Sequence, residues 1–477
     1  MKEVRTRFAP SPTGIMHIGG ARTALYAFLV AKQKMGKFVL RIEDTDQERY
    51  VEGAVEAIYQ SLKKLDLIWD EGPDVGGPYK PYIQSERKEN YLMWAQKLIE
   101  EDKAYFCFCS EDRLQELKIK AQKERVAYKY DGKCRILSKE EVAKNIEAGI
   151  KGVIRFKTPR TGETSFNDIV YGNVVVKNIE IEDLILIKSD KMPTYNFANI
   201  IDDKEMEITH IIRGNEYISS TPKYVLIYDA LGWEIPKFIH LPIIKKSKES
   251  DKKLSKRDSD STVEDLFNKG YLKDAIINML ALTGWSPGDE REIFSLEELI
   301  EEFNSTRISK GNAIFDIEKL NWLNSQYMKR LSLEELKELV IPFIKEKYNL
   351  ENRSDKWLDE LISLYRNQLS YGKEIINLIE MFFEEEVKIS EEDKQVIDNN
   401  EAVTAYDIFS KEISDIKVWN IENIKVAIDN LKQKTTLVGR DLFMPIRIII
   451  TGHRSGPELP NTIYLLGKET VLNRLKR

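Results

Sequence analysis

The hydrophobic positions in the first half of the chain fall into short runs that alternate with helical stretches. Short apolar runs bounded by charged or turn-forming residues predict strands. Such runs occur in KFVLRIED, Asp183–Ser189 (DLILIKS), Thr209–Gly214 (THIIRG) and Phe238–Ile244 (FIHLPII). The segment Ala21–Gln33 (ARTALYAFLVAKQ) has apolar residues at helical spacing, and Gly36 after it is a stop signal. A loop, a helix and a strand within about 40 residues predict a doubly wound α/β unit.

The pattern changes over residues 85–191. There the charged helical stretch EDRLQELKIKAQKE stands beside short β segments such as GVIRFKTP and GNVVVKN. We interpret 85–191 as an α+β insertion that splits the α/β domain into 1–84 and 192–246.

Beyond Ser261 the hydrophobic pattern is helical. The predicted helices include TVEDLFNKG, DAIINMLALTGW, SLEELIEEF, LEELKELVIPFIKE and WLDELISLYRNQL. In the last of these, the residues that recur at helical spacing are Trp357, Leu358, Leu361, Ile362, Leu364, Tyr365 and Leu369. We therefore predict all-α structure toward the C-terminus, divided into parts at 247–330 and 331–477.

Composition narrows the class of protein. Hydrophobic residues make up 42 % and charged residues 32 % of the 477 residues, as expected of a soluble globular protein. No apolar run approaches the ~18 residues that a membrane span needs, and MKEVRTRFAP lacks the apolar core of a signal peptide. We therefore expect a cytoplasmic monomer without a membrane partner.

Net charge by itself disfavours a polyanionic partner, because it is −6. Binding depends on local clusters, however, and Lys245–Asp258 (KKSKESDKKLSKRD) carries seven basic residues against three acidic ones, a local +4. Such a segment is either a solvated surface or a phosphate site, and the sequence motifs around it distinguish the two.

The stretch Arg7–Gly20 (RFAPSPTGIMHIGG) suits neither a core helix nor a core strand. Its two prolines stiffen a loop, while Gly14, Gly19 and Gly20 let the backbone bend and approach a ligand. The helix that follows presents free N–H groups where a phosphate binds, and His17 can donate to that phosphate. The alternative is a glycine-rich turn with a surface histidine.

A second cluster strengthens the phosphate interpretation. After the strand FIHLPII comes KKLSKR (Lys252–Arg257), a basic loop with lysines three residues apart. Such a loop can close over a triphosphate and neutralise the charge of departing pyrophosphate. Alone it could be a charged surface, but its pairing with the histidine–glycine loop is far more specific.

These residues resemble a known family. HIGG and KLSKR are similar to the two signature motifs of class I aminoacyl-tRNA synthetases. Together with LRIEDTD, DEGPDVGGPY, QSER, PTYNFAN, LFMPIR, TGHRSGPEL and LLGKE, they resemble the bacterial glutamyl branch along the whole chain. Gly20 stands where the general class motif HIGH ends in histidine, a substitution common in that branch.

The resemblance implies a Rossmann-like catalytic domain, an acceptor-end insertion over 85–191, a stem-contact domain over 247–330 and helical anticodon-binding domains over 331–477. It implies activation of glutamate by ATP with Mg²⁺, followed by transfer to the terminal 2′-hydroxyl of tRNA(Glu). The attacking carboxylate is already an anion, so no general base is needed. The catalytic and ATP-binding residues are then His17, Lys253 and Lys256, with Gly14, Gly19, Gly20 and Ser255.

The same resemblance implies an amino-acid site. Its residues are Arg7 with Tyr195 and Asn199 for the side-chain carboxylate, Arg213 for the α-carboxylate, and Glu43 with Ser11 for the ammonium group. A buried Arg7 that faces glutamine would lose its counter-charge, at a cost of ~2–5 kcal/mol. Discrimination of that size needs no editing domain, and no segment resembles one.

Three cysteines lie within 28 residues: Cys107, Cys109 and Cys134. Their clustering favours a shared site, and three thiolates can bind a tetrahedral zinc ion. The four histidines, at positions 17, 210, 240 and 453, are far away in sequence, so Tyr130 is the best candidate for the fourth ligand. Some family members carry a structural zinc in this insertion. The alternative is a set of buried free thiols.

The resemblance also places Gln368, of LYRNQLSY, against the third anticodon base, where family members that reject tRNA(Gln) can have an arginine. Gln368 hints at relaxed choice, with tRNA(Gln) charged as well. Glutaminyl-tRNA synthetase is the nearest rival, but its anticodon domains are β-barrels. The paralogue that glutamylates queuosine lacks an anticodon module. A small HxGH nucleotidyltransferase or a non-catalytic RNA-binding protein needs no amino-acid site.

Overall fold

A computed structural model of the chain describes residues 2–126, 128–245 and 260–476. Lys253, Ser255 and Lys256 therefore lie outside the described residues. The chain divides into two compact units, one of 1–266 and 276–317 and the other of 267–275 and 318–477.

The strands of the described residues are β1 (Arg5–Phe8), β2 (Lys37–Leu40), β3 (Ala104–Cys107), β4 (Val153–Phe156), β5 (Glu163–Asp168), β6 (Gly172–Lys177), β7 (Ile185–Ile187), β8 (His210–Gly214), β9 (Lys237–Leu241), β10 (Ile244–Lys245) and β11 (Ala313–Ile314). The helices up to residue 302 are α1 (Ile18–Gln33), α2 (Ala54–Lys64), α3 (Lys88–Glu100), α4 (Glu111–Glu124), α5 (Lys139–Glu147), α6 (Tyr195–Glu205), α7 (Thr221–Ala230), α8 (Val263–Asn268), α9 (Lys273–Leu282) and α10 (Leu296–Glu302). The later helices are α11 (Ile317–Met328), α12 (Leu333–Lys347), α13 (Asp355–Tyr365), α14 (Ile375–Leu378), α15 (Glu391–Ile397), α16 (Asn400–Ser414), α17 (Ile421–Lys434), α18 (Arg440–Thr451), α19 (Leu459–Leu466) and α20 (Lys468–Leu475).

The first unit is built on a six-stranded sheet of order β2–β1–β8–β9–β5–β6. Its neighbours pair in parallel from β2 to β5, and only the β5–β6 hairpin is antiparallel. All four residues of β1 are buried, as in the central strand of a sheet covered on both faces. The predicted α/β class is confirmed. The carboxyl ends of β1, β8 and β9 meet at one edge, which is where ligands bind in such sheets.

The predicted insertion over 85–191 contributes to two sheets. Strands β3, β4 and β7 form a separate antiparallel sheet, whereas β5 extends the main sheet through the pairing of Asp168 with Phe238. The charged helix predicted from EDRLQELKIKAQKE is confirmed as α4, and its N-cap is Ser110.

The strand predicted over Phe238–Ile244 is wrong in its second half. Strand β9 ends at Leu241, and β10 at Ile244–Lys245 pairs in parallel with β11 in a sheet of its own. Pro242 has no N–H to donate to a ladder, so the main sheet ends there. Strand β11 also interrupts the stretch predicted to be helical throughout. The sequence did not predict this strand, because two residues are too few to give a periodic pattern.

The second unit is helical among the described residues from 318 to 476, which confirms the all-α prediction for that region. Its core consists of apolar residues that recur along the helices, such as Leu358, Leu361 and Ile362 of α13.

Candidate active site

A cavity of about 270 Å³ lies at the carboxyl edge of β1, β8 and β9. Its lining residues are Arg7, Phe8, Ala9, His17, Gly19, Gly20, Arg22, Thr23, Glu43, Tyr195, Ile212, Arg213, Gly214, Glu216, Tyr217, Pro242, Ile243 and Ile244. The sequence-predicted residues Arg7, His17, Gly19, Gly20, Glu43, Tyr195 and Arg213 thus share one cavity. Of the lining residues that the structure describes, the last in chain order is Ile244.

His17 is the N-cap of α1, and its Nδ1 accepts the Gly19 N–H at 2.9 Å. A Cβ on residue 19 would lie 3.3 Å from that nitrogen, so glycine keeps the cap close. Gly14 has φ +113°, which suits glycine, but it does not line the cavity. The Ile18 N–H donates to the Ser261 carbonyl at 2.9 Å, and this hydrogen bond fixes the loop to the residues just before α8.

A chain of buried ion pairs runs beneath the cavity. Arg7 Nε lies 3.1 Å from Asp203 Oδ1, Arg41 Nη1 lies 2.8 Å from the same oxygen, and Arg41 Nη2 lies 2.9 Å from Glu43 Oε1. Charges therefore alternate from Arg7 through Asp203 and Arg41 to Glu43, and only the two ends reach the cavity.

The pKa values follow from this arrangement. Burial alone would raise the pKa of Asp203, but the charges of Arg7 and Arg41 outweigh it and hold the pKa below its ordinary value. Burial prevails at Glu43, whose pKa is raised although Arg41 and Arg7 lower it. The cavity thus has a guanidinium at one end and a buried carboxyl group at the other.

Arg213 lies on β8 and is only 5 % exposed, yet it forms no ion pair with a carboxylate of the described residues. Its Nε donates to His240 Nε2 at 3.2 Å and its Nη2 donates to Thr221 Oγ1 at 2.8 Å. Its Nη1 has no hydrogen-bond partner among the described residues. A buried cation without a counter-charge, in a cavity wall, is a strong site for an anionic ligand group.

Two further predicted residues lie near this wall. Tyr195 begins α6, and its ring is 5.8 Å from that of Tyr217; burial raises its pKa far above the ordinary value. Asn199 lies one turn later, buried but outside the lining, and its amide donates to the Tyr195 carbonyl at 2.8 Å. Ser11 is exposed and also lies outside the lining.

Sequence reasoning missed Arg22, Glu216 and Tyr217. Arg22 follows the glycine pair by two positions, and its guanidinium donates to the carbonyls of Thr283 and Pro242. Glu216 folds over Gly214, where a Cβ would lie 1.9 Å from Glu216 Oε2. Their sequence positions could have identified two of them. Arg22 lies in ARTAL, which directly follows Gly19 and Gly20, and Glu216 lies in RGNE, which begins at Arg213.

The three cysteines meet, with all their sulfurs within 4.8 Å of one another. The Tyr130 hydroxyl lies 3.4 Å from Cys107 Sγ and from Cys109 Sγ, and Cys109 Sγ is 3.6 Å from Cys134 Sγ. A tetrahedral zinc site with Zn–S of 2.3 Å and Zn–O of 2.0 Å gives S···S and S···O separations of about 3.8 and 3.5 Å. The four groups therefore fit zinc.

Cations surround this cluster. Arg113 Nη1 lies 3.4 Å from Cys109 Sγ, and the Arg155 guanidinium carbon lies 4.2 Å from the centre of the Tyr130 ring. At Cys107, burial alone would raise the pKa of the thiol, but hydrogen bonds from Tyr130 and Arg155 outweigh it and lower this pKa. Burial raises the pKa of Cys109 to about 11 and that of Tyr130 far above its ordinary value, so a bound metal ion would have to displace their protons.

Gln368 is exposed in the second unit, in the helical turn Arg366–Gln368 that follows α13. It lines a cleft of about 580 Å³ whose other walls include Asp359, Glu360 and Glu458. Arg366 points elsewhere, because its guanidinium donates to the Leu331 carbonyl.

A parallel sheet whose first strand leads through a histidine–glycine loop into a helix, with a basic motif after a later strand, is typical of class I aminoacyl-tRNA synthetases and of small HxGH nucleotidyltransferases. Comparison with known proteins distinguishes the two. The family described as tRNA synthetases class I (E and Q), catalytic domain, matches residues 3–322, and an anticodon binding domain family matches 335–477. The chain belongs to this class I E and Q synthetase family.

Curated relatives extend along the full length. The chain is 46 % identical over 475 residues to the glutamate–tRNA ligase of Clostridium botulinum (strain Okra, type B1), covering 99 % of this chain and 97 % of that one. It is 45 % identical to the glutamate–tRNA ligase of Clostridium novyi (strain NT), covering 100 % and 97 %.

Solved structures of similar length share the fold. The glutamate–tRNA synthetase of Elizabethkingia anophelis superposes with a TM-score of 0.89 at 38 % identity, covering 99 % of each chain. The glutamate–tRNA ligase of Elizabethkingia meningosepticum, in complex with its amino acid, gives 0.88 at 37 % identity, covering 99 % of this chain and 98 % of that one. Among the described residues of this chain, no helix is both long and apolar enough to cross a bilayer.

Proposed function

We propose that the chain is a glutamate–tRNA ligase, which activates glutamate with ATP to glutamyl-adenylate and pyrophosphate. It then transfers the glutamyl group to the terminal 2′-hydroxyl of tRNA(Glu), and AMP leaves. The observation that carries this proposal is the unpartnered Nη1 of buried Arg213, in the same cavity as His17 at the start of α1. In this proposal Arg213 binds a carboxylate and His17 binds a phosphate.

The chemistry requires positioning and charge stabilisation rather than a base. The α-carboxylate of glutamate attacks the α-phosphorus of ATP, and pyrophosphate leaves. Arg213 binds that carboxylate, Arg7 with Tyr195 faces the side-chain carboxylate, and Glu43 accepts the ammonium group. His17 and the Gly20 N–H bind the phosphates together with Lys253 and Lys256, because the Ile18 and Gly19 N–H groups already donate within the chain. Mg²⁺ neutralises phosphate charge when bound with ATP.

Amino-acid selectivity in this proposal differs from the sequence-based estimate. Arg7 already has Asp203 as a counter-charge, so glutamine does not leave it bare. Discrimination then depends on hydrogen-bond geometry, because the amide nitrogen of glutamine would place a donor against the donors of Arg7.

An ATP–pyrophosphate exchange assay tests the function. With ATP and tRNA(Glu) present, we expect exchange that depends on glutamate and is absent with glutamine or aspartate. Exchange with glutamine alone would favour the glutaminyl rival, and no exchange with any amino acid would overturn the proposal.

Zinc is the second part of the proposal. Cys107, Cys109, Tyr130 and Cys134 would hold a structural ion, because activation needs no metal-bound water in the insertion. Elemental analysis of purified protein should give one zinc per chain, and Cys134→Ser should lose it. An unchanged zinc content in Cys134→Ser would rule out this site, and Cys134→Ser with near-normal kinetics for ATP and glutamate would support a structural role.

The range of tRNA is the third part. Gln368 in place of arginine would let the helical domains over 331–477 accept either third anticodon base, so both tRNA(Glu) and tRNA(Gln) would be charged. Gln368→Arg should then reduce charging of tRNA(Gln) while tRNA(Glu) is charged as before. Equal rates on tRNA(Gln) before and after the substitution would contradict this assignment.

The remaining parts concern organisation. We propose the domain boundaries 1–84 with 192–246, 85–191, 247–330 and 331–477, a monomeric state and a cytoplasmic location suited to translation. Sedimentation of the purified chain checks the monomer, whose mass is 55.5 kDa.

A further inference from the structure

A buried imidazole and a buried carboxylate stand behind Arg213, on the side away from the cavity. His240 on β9 is fully buried and Asp168 at the end of β5 is 1 % exposed, and neither lines the cavity. His240 Nδ1 lies 2.7 Å from Asp168 Oδ2, and His240 Nε2 lies 3.2 Å from Arg213 Nε. The three side chains therefore form one line of hydrogen bonds that ends at the cavity.

The chemistry of these groups determines where the proton on the imidazole lies. A guanidinium has donors only, so Arg213 Nε–H donates and His240 Nε2 carries the lone pair. The proton of the neutral ring is then on Nδ1 and is donated to Asp168. Thr221 Oγ1 also lies 3.3 Å from His240 Nε2, but its hydroxyl donates to the Tyr217 carbonyl at 2.8 Å and its oxygen accepts from Arg213 Nη2 at 2.8 Å. Thr221 therefore has no second proton for the imidazole, and Arg213 Nε–H remains the donor to His240 Nε2.

Asp168 is itself fixed as an acceptor. Its Oδ1 accepts the backbone N–H groups of Val170 at 2.9 Å and Tyr171 at 2.8 Å, and its Oδ2 accepts the backbone N–H of His240 at 3.1 Å. These described neighbours all donate to the carboxylate, which therefore accepts from the imidazole as well.

We propose that Asp168 and His240 are positioning residues, which hold His240 in its Nδ1–H tautomer and so orient Arg213 with Nη1 toward the α-carboxylate of the amino acid. This inference rests on the proposed function, because it assigns Arg213 to the substrate. With the opposite tautomer, His240 Nε2–H would face Arg213 Nε–H, and the guanidinium would turn away from this direction.

The substitution Asp168→Asn reverses the tautomer. The new amide oxygen keeps the two N–H groups of Val170 and Tyr171, so its NH₂ takes the place of Oδ2. There it gives up the hydrogen bond from the His240 backbone N–H and donates to His240 Nδ1. The ring proton must then move to Nε2, against Arg213. We expect kcat/KM for glutamate to fall about 10²-fold, as for a misplaced binding group, while KM for ATP stays unchanged.

A double-substitution cycle distinguishes an effect on the His240 tautomer from a general packing defect. His240→Gln keeps an acceptor oxygen within reach of Arg213 but has no tautomers, so it should retain more glutamate activity than His240→Leu. In the His240→Gln background, Asp168→Asn should therefore have little further effect on kcat/KM for glutamate. Multiplicative losses in the double variant would overturn the proposal.

A matched control comes from another buried carboxylate. Asp183 accepts hydrogen bonds from Tyr105, Arg135 and Thr158 in the insertion, away from the cavity. Asp183→Asn should lower the thermal midpoint as Asp168→Asn does, but leave KM for glutamate unchanged. If the wild-type chain does not use glutamate at all, the proposed function is wrong. If it does, but Asp168→Asn changes KM for ATP and KM for glutamate equally, only the positioning role of Asp168 and His240 is wrong.

Discussion

Two buried arginines bound the same cavity in different ways. Arg7 is paired with Asp203, which also contacts Arg41, so its charge is neutralised within the chain. Arg213 contacts only neutral side chains, and its Nη1 is left without a partner among the described residues. Burial of an arginine therefore does not define its role, whereas the presence or absence of an ion-pair partner does.

The difference has an energetic meaning. A buried pair such as Arg7–Asp203 stabilises the fold mainly by avoiding an unpaired charge. No carboxylate of the described residues pairs with Arg213, so its charge is balanced only when an anion binds. We therefore expect Arg7 to affect both stability and substrate use, and Arg213 to affect substrate use alone.

The largest expected effect is that of Arg213→Leu. The α-carboxylate of glutamate loses its counter-charge, so kcat/KM for glutamate should fall about 10³-fold. Thermal unfolding should occur at nearly the same temperature, because removal of a buried charge without an ion-pair partner offsets the hydrogen bonds that His240 Nε2 and Thr221 Oγ1 lose. A marked loss of stability in Arg213→Leu would break the comparison.

Arg7→Leu should reduce kcat/KM for glutamate about 10²-fold, less than Arg213→Leu because Asp203 already balances part of the Arg7 charge. It should also lower the free energy of unfolding by about 3 kcal/mol, because Asp203 loses one of its two cations. Denaturant unfolding measures this. The double variant Arg7→Leu/Asp203→Leu should recover part of the stability without recovering activity, and a double variant less stable than either single one would contradict the pairing.

Asp203→Asn is expected to have a smaller effect. Its amide offers one acceptor where the carboxylate offered two, so Arg7 is held less firmly and KM for glutamate should rise about tenfold, with KM for ATP unchanged. Steady-state kinetics with each substrate varied in turn checks this. An equal rise for both substrates would indicate a general distortion instead.

The smallest effect concerns Glu43, which lies at the opposite end of the chain of ion pairs from Arg7. Burial raises the pKa of Glu43 above its ordinary value. The proposed ammonium site needs the ionised form, so kcat/KM for glutamate should be constant above this pKa and fall as the pH decreases through it. Glu43→Gln should lower the plateau and remove this acid limb from the pH profile; an unaltered limb would assign it to another group.

Local patterns predicted much of this molecule. The helix α13 and the strands β8 and β9 follow from periodicity and apolar runs, and the loop around His17 follows from its glycines. The end of β9 was also legible, since Pro242 cannot continue a ladder. These features depend on neighbours along the chain.

The partners of the two arginines could not be predicted in this way. Asp203 lies 196 residues from Arg7, and Asp168 lies 72 residues from His240. Nothing in DDKE or FNDIV indicates which cation or imidazole the carboxylate meets, because that depends on the order of parallel strands. Sequence reasoning thus identified Arg7 and Arg213 but not the difference between them.

The short β10–β11 pairing has a consequence for the order in which the enzyme is completed. The N–H of Ala313 donates to the Ile243 carbonyl at 2.9 Å, next to the wall of the cavity. A ribosome that has released residues 1–245 has supplied every strand of the main sheet, yet this wall waits for about 70 more residues to emerge, several seconds at ordinary elongation rates. The nascent chain therefore passes through a stage with a formed sheet and an unfinished site.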